Sequence, residues 1–266
     1  MILIPTFNSQ EYIEKTIISA LKQTKEVEVI VVDNCSTDGT LEVIKKYPVH
    51  LIQNKKNLGR IANWNRCLEI ALSKEPKYFK LLFAGDILKS DAFEKYDKIF
   101  SMFPTVGLLT SKYEIIEADG KKVLNQTIDK EQLIDSKKAL ELNLIKNNWY
   151  ASPSIQVYRT ITIQETRFDD NYPWVADWKF CIDISKKSNV YYCDSVLAEF
   201  HMKNRMYYNT QLLKLSSIAE EMYIMTSLME ELGLSSEYER KMKKYFRNRL
   251  ISKKELPIFI LDKVLQ

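Results

Sequence analysis

The sequence predicts an α/β protein with a Rossmann-like, mostly parallel sheet flanked by helices, followed by a C-terminal helical appendage. Short apolar runs that suit strands alternate with segments of helical periodicity through residues 1–110, and such alternation with short links is typical of parallel sheets. These runs end in small or polar residues, which a parallel sheet gathers at one edge. From residue 210 the apolar positions recur at helical spacing only.

The composition is that of a globular protein with a mild positive charge. The chain has 266 residues, of which 45% are hydrophobic, with only six glycines and seven prolines. It can therefore bury a sizeable core and is neither disordered nor fibrous. A net charge of +4 permits anionic small molecules as ligands, and we expect no nucleic-acid partner.

The cysteines and the N-terminal run indicate a cytoplasmic protein. No C-x-x-C pair occurs, which disfavours both a disulfide framework and a cysteine metal site. The cysteines are scattered along the chain: Cys35, Cys67, Cys181 and Cys193. Met1 leads directly into the apolar run Ile2–Ile4, which is too short for a signal peptide or a membrane span.

In the first half, β-branched and apolar runs mark the strands, and amphipathic spacing marks the helices. The first helix should begin near Ser9, because Asn8 and Glu11 have the spacing of a capping box. Two further helices are predicted, at Leu41–Ile44 and Ile61–Ala71. Four strands are predicted here: Ile2–Ile4, Val27–Val32, His50–Ile52 and the run that ends at Phe83.

The second half is predicted to continue with strands, two helices and the appendage. The predicted strands are Gly107–Ser111, Tyr113–Ile116, Ser152–Val157, Val190–Tyr192 and Val196–Phe200. A helix is predicted at Ser136–Lys146, and another opens at Val175–Trp178. The appendage should contain two helices, the first marked by Leu212, Leu215, Ile218, Met222 and Met225, and the second by Met242, Phe246 and Leu250.

Three well-known motifs of other α/β enzymes are absent. No G-x-G-x-x-G follows the first strand, where Pro5–Asn8 stands instead, so a dinucleotide Rossmann site is disfavoured. The chain has no G-x-x-x-x-G-K-[ST] phosphate loop, which argues against an ATPase or GTPase. It also has no G-x-S-x-G elbow, which disfavours an α/β-hydrolase.

The residues around Asp86 are the central candidate site. The apolar run Leu81–Phe83 stops at small residues that include Gly85, and Asp86 follows where an open α/β sheet binds its ligands. Asp86 would otherwise be a loop residue or a helix cap, but Asp91 suits a cap better because Glu94 follows three residues later.

Asn8 and Asp33 follow two other predicted strands. Because the carboxyl ends of parallel strands share one edge, we expect these two residues to meet Asp86 in one cleft.

The string Val31–Thr40, with Ile4–Asn8 and Glu11–Ile13, closely resembles the opening of the family 2 glycosyltransferases, which have the GT-A fold. Asn57–Gly59 and Ala62–Asn65 are similar to the next block of that family. The resemblance extends through roughly the first 200 residues. The Asp33 to Thr40 part is its most specific signal.

The resemblance implies a division of the chain and a nucleotide site. The implied domains are a GT-A catalytic domain at 1–205, with a nucleotide-binding half at 1–110 and an acceptor-side half at 111–205, and a helical region at 206–266. The implied nucleotide-binding residues are Pro5, Thr6, Phe7, Asn8, Asp33, Asn57, Gly59, Arg60 and Gly85.

Within that site the resemblance implies that the Asp33 carboxylate accepts a hydrogen bond from the imide N–H of a uracil or thymine base. Turn and cap chemistry would equally suit Asp33 and Asp38. For Asp38 we favour the turn, and for Asp33 the site. Arg60 would contact a phosphate or the base, although a solvated arginine is an equal alternative.

Asp86 falls where the family carries its D-x-D metal motif. Ala84 replaces the usual first Asp, and Ile87 follows instead of another acidic residue. The resemblance therefore implies Mg²⁺ or Mn²⁺ held by Asp86 and a diphosphate, since both ions prefer oxygen ligands. His201, at a strand end where the family often has a metal-facing histidine, is the second implied ligand, with a structural role as its alternative.

Asp177 lies where the family places its catalytic base, and Ala176 replaces the Glu that usually precedes it. A general base takes the proton from the attacking acceptor hydroxyl. Asp177 would alternatively cap the helix that opens here. The nearby Trp174 and Trp178, and also Trp149, would stack on a sugar ring or, more simply, belong to the core.

The implied activity is inverting transfer from a nucleotide-diphosphate sugar, UDP- or dTDP-linked, to a glycan or lipid-linked acceptor in bacterial surface-polysaccharide synthesis. A basic C-terminal helix suggests peripheral contact with the inner face of the plasma membrane, or simply a solvated surface. Two alternatives remain: a non-catalytic nucleotide-sugar-binding protein, and a sugar nucleotidyltransferase, which would want a basic glycine-rich loop after the first strand.

Overall fold

The computed structural model of the chain describes residues 1–202 and 211–234 together with positions 240, 244 and 246. In this part the strands are β1 (Ile2–Thr6), β2 (Val29–Asp33), β3 (His50–Gln53), β4 (Tyr78–Leu81), β5 (Ile87–Leu88), β6 (Val106–Ile116), β7 (Lys122–Asn125), β8 (Gln132–Ile134), β9 (Val157–Arg159) and β10 (Asn189–His201). The helices are α1 (Ile13–Leu21), α2 (Thr40–Ile44), α3 (Arg60–Lys74), α4 (Ala92–Met102), α5 (Ser136–Lys146), α6 (Ala176–Ser185) and α7 (Gln211–Glu231), with a 3₁₀ turn at Thr160–Ile163.

The described strands form one mixed sheet in the order β3-β2-β1-β4-β9-β6-β10-β5, with β7 beside β6 and β8 beside β10. Strands β1 to β4 run parallel to their neighbours in that group. Strand β9 is antiparallel to both β4 and β6, and β10 is parallel to β6. The predicted α/β fold is confirmed, with the parallel pairing concentrated in the first half and antiparallel strands in the second.

Helices cover both faces of the sheet. Alternate residues of a strand point to opposite faces, and β1 follows this rule. Leu3 packs in the core that contains residues of α3, α5, α6 and α7, whereas Ile2 and Ile4 pack in the core that contains residues of α1 and α4. A strand buried on both faces reads as a continuous apolar run, which is why the short strands were visible in the sequence.

The first helix begins later than the sequence predicted. Helix α1 starts at Ile13, and the carbonyl of Ser9 accepts the backbone N–H groups of Tyr12 and Ile13 in a preceding turn. The predicted capping box of Asn8 is wrong because its side chain accepts the N–H of Thr37, in another loop, at 2.8 Å.

In the second half, the predicted strand Ser152–Val157 is wrong except at its last residue. The N–H groups of Ile155 and Gln156 bond to Ser152 and Pro153 in turns, because this Ser-Pro-Ser stretch favours a turn over a ladder. Two predicted strand pairs merge into the long strands β6 and β10. In β10 the register shifts between Cys193 and Val196 absorb the break in the apolar pattern.

The C-terminal predictions divide in two. The first predicted helix is present as α7, whereas the second, at Met242, Phe246 and Leu250, lies outside the described residues apart from position 246. Within the described ranges no helix has both the length and the apolar character needed to cross a bilayer.

Candidate active site

The ends of β1 and β2 lie side by side at the C-terminal edge of the parallel strands. Thr6 is in register with Asp33, and the N–H of Asn34 donates to the Thr6 carbonyl at 2.8 Å. The Thr6 hydroxyl is buried and has no hydrogen-bond partner among the described residues. Because buried hydroxyls normally have a partner, this one points to a ligand at the edge.

Asp33 is fully buried, and Ser36, three positions further along the chain, covers its carboxylate. Ser36 donates to the Asp33 carboxylate twice, through its backbone N–H at 3.0 Å and through its hydroxyl at 2.5 Å. The Ser36 hydroxyl also accepts the N–H of Asn8 at 2.9 Å. The carboxylate thus sits at the predicted edge, with Ser36 closing it off from solvent.

The loops after β1 and β2 are locked to each other by side chains. Asn8 and Cys35 both have positive φ, 46° and 64°, a region that non-glycine residues enter rarely. The Asn8 side-chain oxygen accepts the N–H of Thr37 at 2.8 Å, and the Thr40 hydroxyl accepts the N–H of Ser9 at 2.7 Å. These bonds hold the two loops in one arrangement.

Asp38 belongs to this lock and not to the ligand site. Its carboxylate accepts the N–H of Thr40 at 3.0 Å and that of Gln10 at 3.2 Å. Burial raises the pKa of Asp38, but the hydrogen bonds from Thr40 and Gln10 outweigh it, so the pKa lies below its usual value. The turn interpretation of Asp38 is confirmed.

The Asn34 side chain ties the end of β2 to the loop after β3. It is almost fully buried. Its oxygen accepts from the Asn54 amide at 3.1 Å and from the N–H of Leu58 at 2.9 Å. Its amide donates to Asn57 at 2.8 Å and to the carbonyl of Gly59 at 3.2 Å. Both polar groups of the Asn34 side chain therefore bond to the segment that contains the predicted nucleotide residues Asn57 and Gly59.

Arg60, the first residue of α3, connects this segment to the approach to α6. Its guanidinium donates to the carbonyl of Pro173 and lies 5.1 Å from the ring centroid of Trp64 and 5.7 Å from that of Trp174. Trp64 in turn stacks on Phe83 with centroids 4.8 Å apart. A continuous line of contacts thus runs from the loop after β3, past α3, to the turn after β4 and to the segment before α6.

The turn after β4 holds Asp86 in a buried position. Gly85 adopts a φ of 102°, which only glycine adopts easily. The Thr16 hydroxyl accepts the N–H of Gly85 at 2.8 Å and donates to the carbonyl of Asp86 at 2.9 Å. The backbone N–H of His201 donates to Asp86 Oδ1 at 3.0 Å. The structure therefore brings the Asp86 carboxylate and the His201 backbone together, although the two residues are 115 positions apart.

The His201 ring has an acidic neighbour. Its Nε2 lies 3.3 Å from Glu199 Oε2, and the other oxygen of Glu199 lies 2.7 Å from Lys89 Nζ. Burial raises the pKa of Glu199, but its ion pair with Lys89 outweighs this and the pKa is lowered. A carboxylate in this position fixes the orientation of an imidazole ring.

The described residues contain no cluster of three histidine, cysteine or acidic side chains that would hold a metal by itself. Asp86 supplies one buried carboxylate, which the His201 backbone contacts, while the His201 ring lies beside Glu199. Mg²⁺ and Mn²⁺ use few protein carboxylates and take their other ligands from phosphates and water, so the chemistry of a lone carboxylate suits an ion delivered with a diphosphate.

Lys80 is a buried cation in β4 that the sequence did not single out. It has no exposed surface, and its Nζ donates to the carbonyl of Gln156 at 3.2 Å. Burial lowers the pKa of Lys80 to about 7, partly offset by the negative charge of Asp86. Lys80 therefore provides positive charge beneath the Asp86 turn.

Asp177 lies in the first turn of α6 and is half-buried. Its Oδ1 accepts the N–H of Trp178 at 2.9 Å. The alternative in which Asp177 caps the helix is wrong, because Val175 occupies the cap position. Trp178 and Trp149 are core residues, whereas Trp174 is half-buried against Arg60.

Sequence reasoning missed the residues that support the site from a distance. Ser36 carried a signal, since a serine three residues after an aspartate often bonds back to it. Thr16 carried a weaker one, as a polar residue on the apolar face of α1. Glu199 carried none, because an acidic residue in a long strand normally faces solvent.

A cavity of about 30 Å³ lies between α6 and α7, away from this edge, with Tyr172 and Tyr223 among its walls. It has room for about two water molecules and not for a sugar nucleotide.

Comparisons with known proteins agree with this geometry. The family model described as glycosyl transferase family 2 matches residues 1–165. A Bacillus subtilis glycosyltransferase, TuaG, named for teichuronic acid biosynthesis, is 31% identical over 125 residues, which cover 45% of this chain and 48% of TuaG. The chain thus matches about half the length of that relative.

Two solved structures show the same fold. Staphylococcus aureus TarS 1–349 in complex with UDP-GlcNAc superposes with a TM-score of 0.70 at 19% identity, covering 94% of this chain and 72% of that one. The mannosyltransferase PcManGT of Pyrobaculum calidifontis, in complex with GDP-Man and Mn²⁺, gives a TM-score of 0.60 at 15% identity, covering 99% of this chain and 78% of that one. The predicted GT-A type of sheet is therefore confirmed.

Proposed function

Because the chain belongs to glycosyl transferase family 2, we propose that it is an inverting glycosyltransferase that uses a nucleotide-diphosphate sugar, UDP- or dTDP-linked. Its acceptor is a hydroxyl group of a glycan or lipid-linked oligosaccharide in surface-polysaccharide synthesis. The observation that carries the proposal is the line of contacts through Arg60 and Trp64, which joins the segments bearing Asp33, Asp86 and Asp177.

The base of the donor binds at the edge of β1 and β2. Asp33 accepts the imide N–H of a pyrimidine, and the unpartnered Thr6 hydroxyl provides a second polar contact. Since Ser36 covers Asp33 in this structure, the Ser36 hydroxyl must turn away to admit the base. Among the other predicted nucleotide residues, Phe7, Asn57 and Gly59 flank this position on exposed loops, and the half-buried Arg60 follows at the start of α3.

The diphosphate lies beside Asp86. Asp86 and His201 would hold Mg²⁺ or Mn²⁺ there, and a bound divalent ion supplies Lewis-acid stabilisation of the charge on a departing diphosphate. The Asp86 turn is held by Thr16 and by the His201 backbone, so its carboxylate is fixed before the donor arrives. The negative charge of Asp86 in turn partly offsets the lowering of the Lys80 pKa by burial.

Asp177 takes the proton from the acceptor hydroxyl. The acceptor oxygen attacks the anomeric carbon, the bond from that carbon to the phosphate oxygen breaks, and the nucleoside diphosphate leaves with the bonding electron pair. The configuration inverts because attack and departure occur on opposite faces. Asp177 is half-buried at the start of α6, so it is both accessible to an alcohol and partly shielded from water.

The acceptor side and the location of the protein complete the proposal. A lipid-linked acceptor would bring the chain to the cytoplasmic face of the membrane, and the lysine- and arginine-rich stretch after residue 240 would favour an anionic surface.

The proposal is tested with purified full-length chain and a panel of UDP- and dTDP-sugars, measuring nucleotide release with and without Mn²⁺. We expect Asp177→Asn to lower turnover by about 10²–10⁴-fold, the usual contribution of a general base, and Asp86→Ala to abolish the Mn²⁺ dependence along with most activity. Asp170→Asn, in the exposed loop before α6, is the matched control and should leave turnover unchanged.

Near-wild-type turnover in Asp86→Ala or Asp177→Asn would remove the basis of these assignments. Tight nucleotide binding that does not depend on Mn²⁺, with no sugar release from any donor, would instead favour a binding protein.

A further inference from the structure

Helix α6, which carries Asp177, begins without a cap of its own. The residue at its cap position is Val175, which has no side-chain acceptor, and no side-chain capping bond forms there. The first N–H groups of a helix have no partner within the helix, and a capping side chain normally satisfies some of them. Within the first turn Asp177 itself accepts the N–H of Trp178, whereas the backbone that leads into α6 depends on acceptors from elsewhere.

Glu220, on α7, supplies them. Its Oε2 accepts the backbone N–H of Trp174 at 2.9 Å and that of Val175 at 3.1 Å. Hydrogen bonds to an ionised carboxylate are roughly twice as strong as neutral ones, and negative charge is favourable at the N-terminus of a helix. Burial raises the pKa of Glu220, while these two bonds and nearby Arg60 counteract that effect.

The same segment is also held by Arg60. The guanidinium donates to the carbonyl of Pro173 and lies against the ring of Trp174. Tyr172 contacts Tyr223 of α7, with ring centroids 5.9 Å apart. Residues 172–175, which we name the entry segment, are thus fixed between the start of α3 and the side of α7.

We propose that Glu220 is a positioning residue for Asp177, acting through the entry segment, so that α7 is a working part of the catalytic site. This inference rests on the proposed role of Asp177 as the general base. Asp177 follows the cap residue by two positions, so any shift of the entry segment rotates its carboxylate directly. Displacement of a reacting group by about 1 Å can lower a rate by roughly 10²-fold.

Hydrogen exchange of the full-length chain tests the contact itself. In Glu220→Ala the amides of Trp174 and Val175 should exchange about 10-fold faster or more, which corresponds to the loss of a charged hydrogen bond. Glu220→Gln keeps an acceptor oxygen and should restore most of the protection. Glu230→Ala, which removes the same charge from an exposed position on α7, is the control and should leave these amides unchanged. Unchanged exchange in Glu220→Ala would overturn the proposal.

Kinetics then separate positioning from general support of the fold. With the donor that the unmodified chain turns over, Glu220→Ala should lower kcat about 10- to 100-fold with little change in the donor KM or in UDP affinity. Glu220→Gln should recover most of the loss. A parallel fall in kcat and UDP affinity, or no recovery with Gln, would contradict a positioning role.

A double-mutant cycle distinguishes failure of this inference from failure of the proposed function. If Glu220 acts through Asp177, Glu220→Ala should lower kcat hardly any further once Asp177 has been replaced by Asn, because the effects of coupled sites are not additive. Full additivity overturns the role of Glu220 and leaves Asp177 as the base. Wild-type turnover by Asp177→Asn alone would instead overturn the proposed function.

Discussion

The two sides of the candidate site are supported in different ways. On the side that we name the nucleotide edge, residues 5–9, 33–40 and 54–60, the supporting bonds join motif residues to one another, and Asp33 and Ser36 are only three positions apart. On the side that we name the acceptor side, residues 172–178 and 199–201, the supports are remote. Glu220 reaches back 46 residues to Trp174, and His201 reaches 115 residues to Asp86.

This difference explains why the sequence of the nucleotide edge contains a recognisable family motif and that of the acceptor side does not. Where the same residues shape a loop and bind the ligand, the motif must stay together in the sequence. Where distant elements hold a single catalytic side chain, the neighbours of that side chain can change. Ala84 and Ala176 stand beside Asp86 and Asp177, and both lie in segments held by residues from elsewhere. The comparison predicts that damage to the nucleotide edge weakens stability and nucleotide binding together.

The largest effect on stability should come from replacing two buried asparagines, one that supports the nucleotide edge and one that supports the acceptor side. Asn34→Ala removes four hydrogen bonds at the nucleotide edge. Asn143→Ala, in α5, leaves the indole N–H of Trp178 without its acceptor and removes the amide that donates to the Tyr150 hydroxyl. Each should lower the free energy of unfolding by about 1–3 kcal/mol, the cost of unsatisfied buried groups.

Chemical denaturation and UDP calorimetry on both variants provide the measurement. Only Asn34→Ala should also weaken UDP binding, because only Asn34 holds the loop with Asn57 and Gly59. Equal loss of UDP affinity in Asn143→Ala would break the comparison.

A smaller, pH-dependent effect is expected at Lys80, which lies beneath the Asp86 turn. Its pKa is lowered to about 7 by burial, whereas an unfolded lysine titrates near 10.4. Native Lys80 therefore binds fewer protons than the unfolded chain between these values, so stability falls as the pH decreases from about 10 to 7 and then levels off.

Lys80→Met keeps the volume and removes this dependence. As the pH is lowered from 9 to 7, the free energy of unfolding of the variant should rise relative to that of the native chain by roughly 1 kcal/mol per pH unit. Urea unfolding at several pH values measures it, with the exposed Lys77→Met as the control. A difference that stays constant across this pH range would show that Lys80 titrates normally in the fold.

The smallest effect should come from two glycines with similar backbone angles. Gly59 and Gly120 have φ of 84° and 87°, and no atom lies within 4 Å of the position of an added Cβ at either. Alanine at each should therefore cost only backbone strain, about 1 kcal/mol.

Gly59→Ala should in addition weaken UDP binding, whereas Gly120→Ala, in the turn between β6 and β7, should not. Thermal melting and calorimetry on the two variants sharpen the comparison. It would fail if Gly59→Ala left UDP affinity at the native level.

The sequence was most informative where structure depends on local order. The strands β1, β2 and β4 are buried on both faces, so their apolar runs were visible in the sequence, and the helix Ser136–Lys146 was predicted with its observed ends. Asp33, Asp86 and His201 were placed by strand-end reasoning and by resemblance. The capping box at Asn8 failed because a tertiary hydrogen bond outweighed the local preference, and the strand at Ser152 failed because local turns form there instead.

The remaining supports could not be predicted, because they depend on packing between distant elements. Nothing around Glu220 in the sequence reveals that its carboxylate meets the backbone before α6. The burial of Lys80 was equally hidden, since a lysine after Phe79 in an apolar run usually reaches the surface.

The left-handed backbone at Asn8 and Cys35 has a consequence for how a ligand is received. Glycine would adopt these positive φ angles at no steric cost, but it would also leave both loops flexible. With Asn8 and Cys35 there instead, and with the bonds from Thr37 to Asn8 and from Ser9 to Thr40 between the loops, the loops have little conformational entropy left to lose. An incoming nucleotide then meets two preorganised loops. Its affinity is set by how well its shape and polar groups match them, because little free energy is lost in ordering the chain.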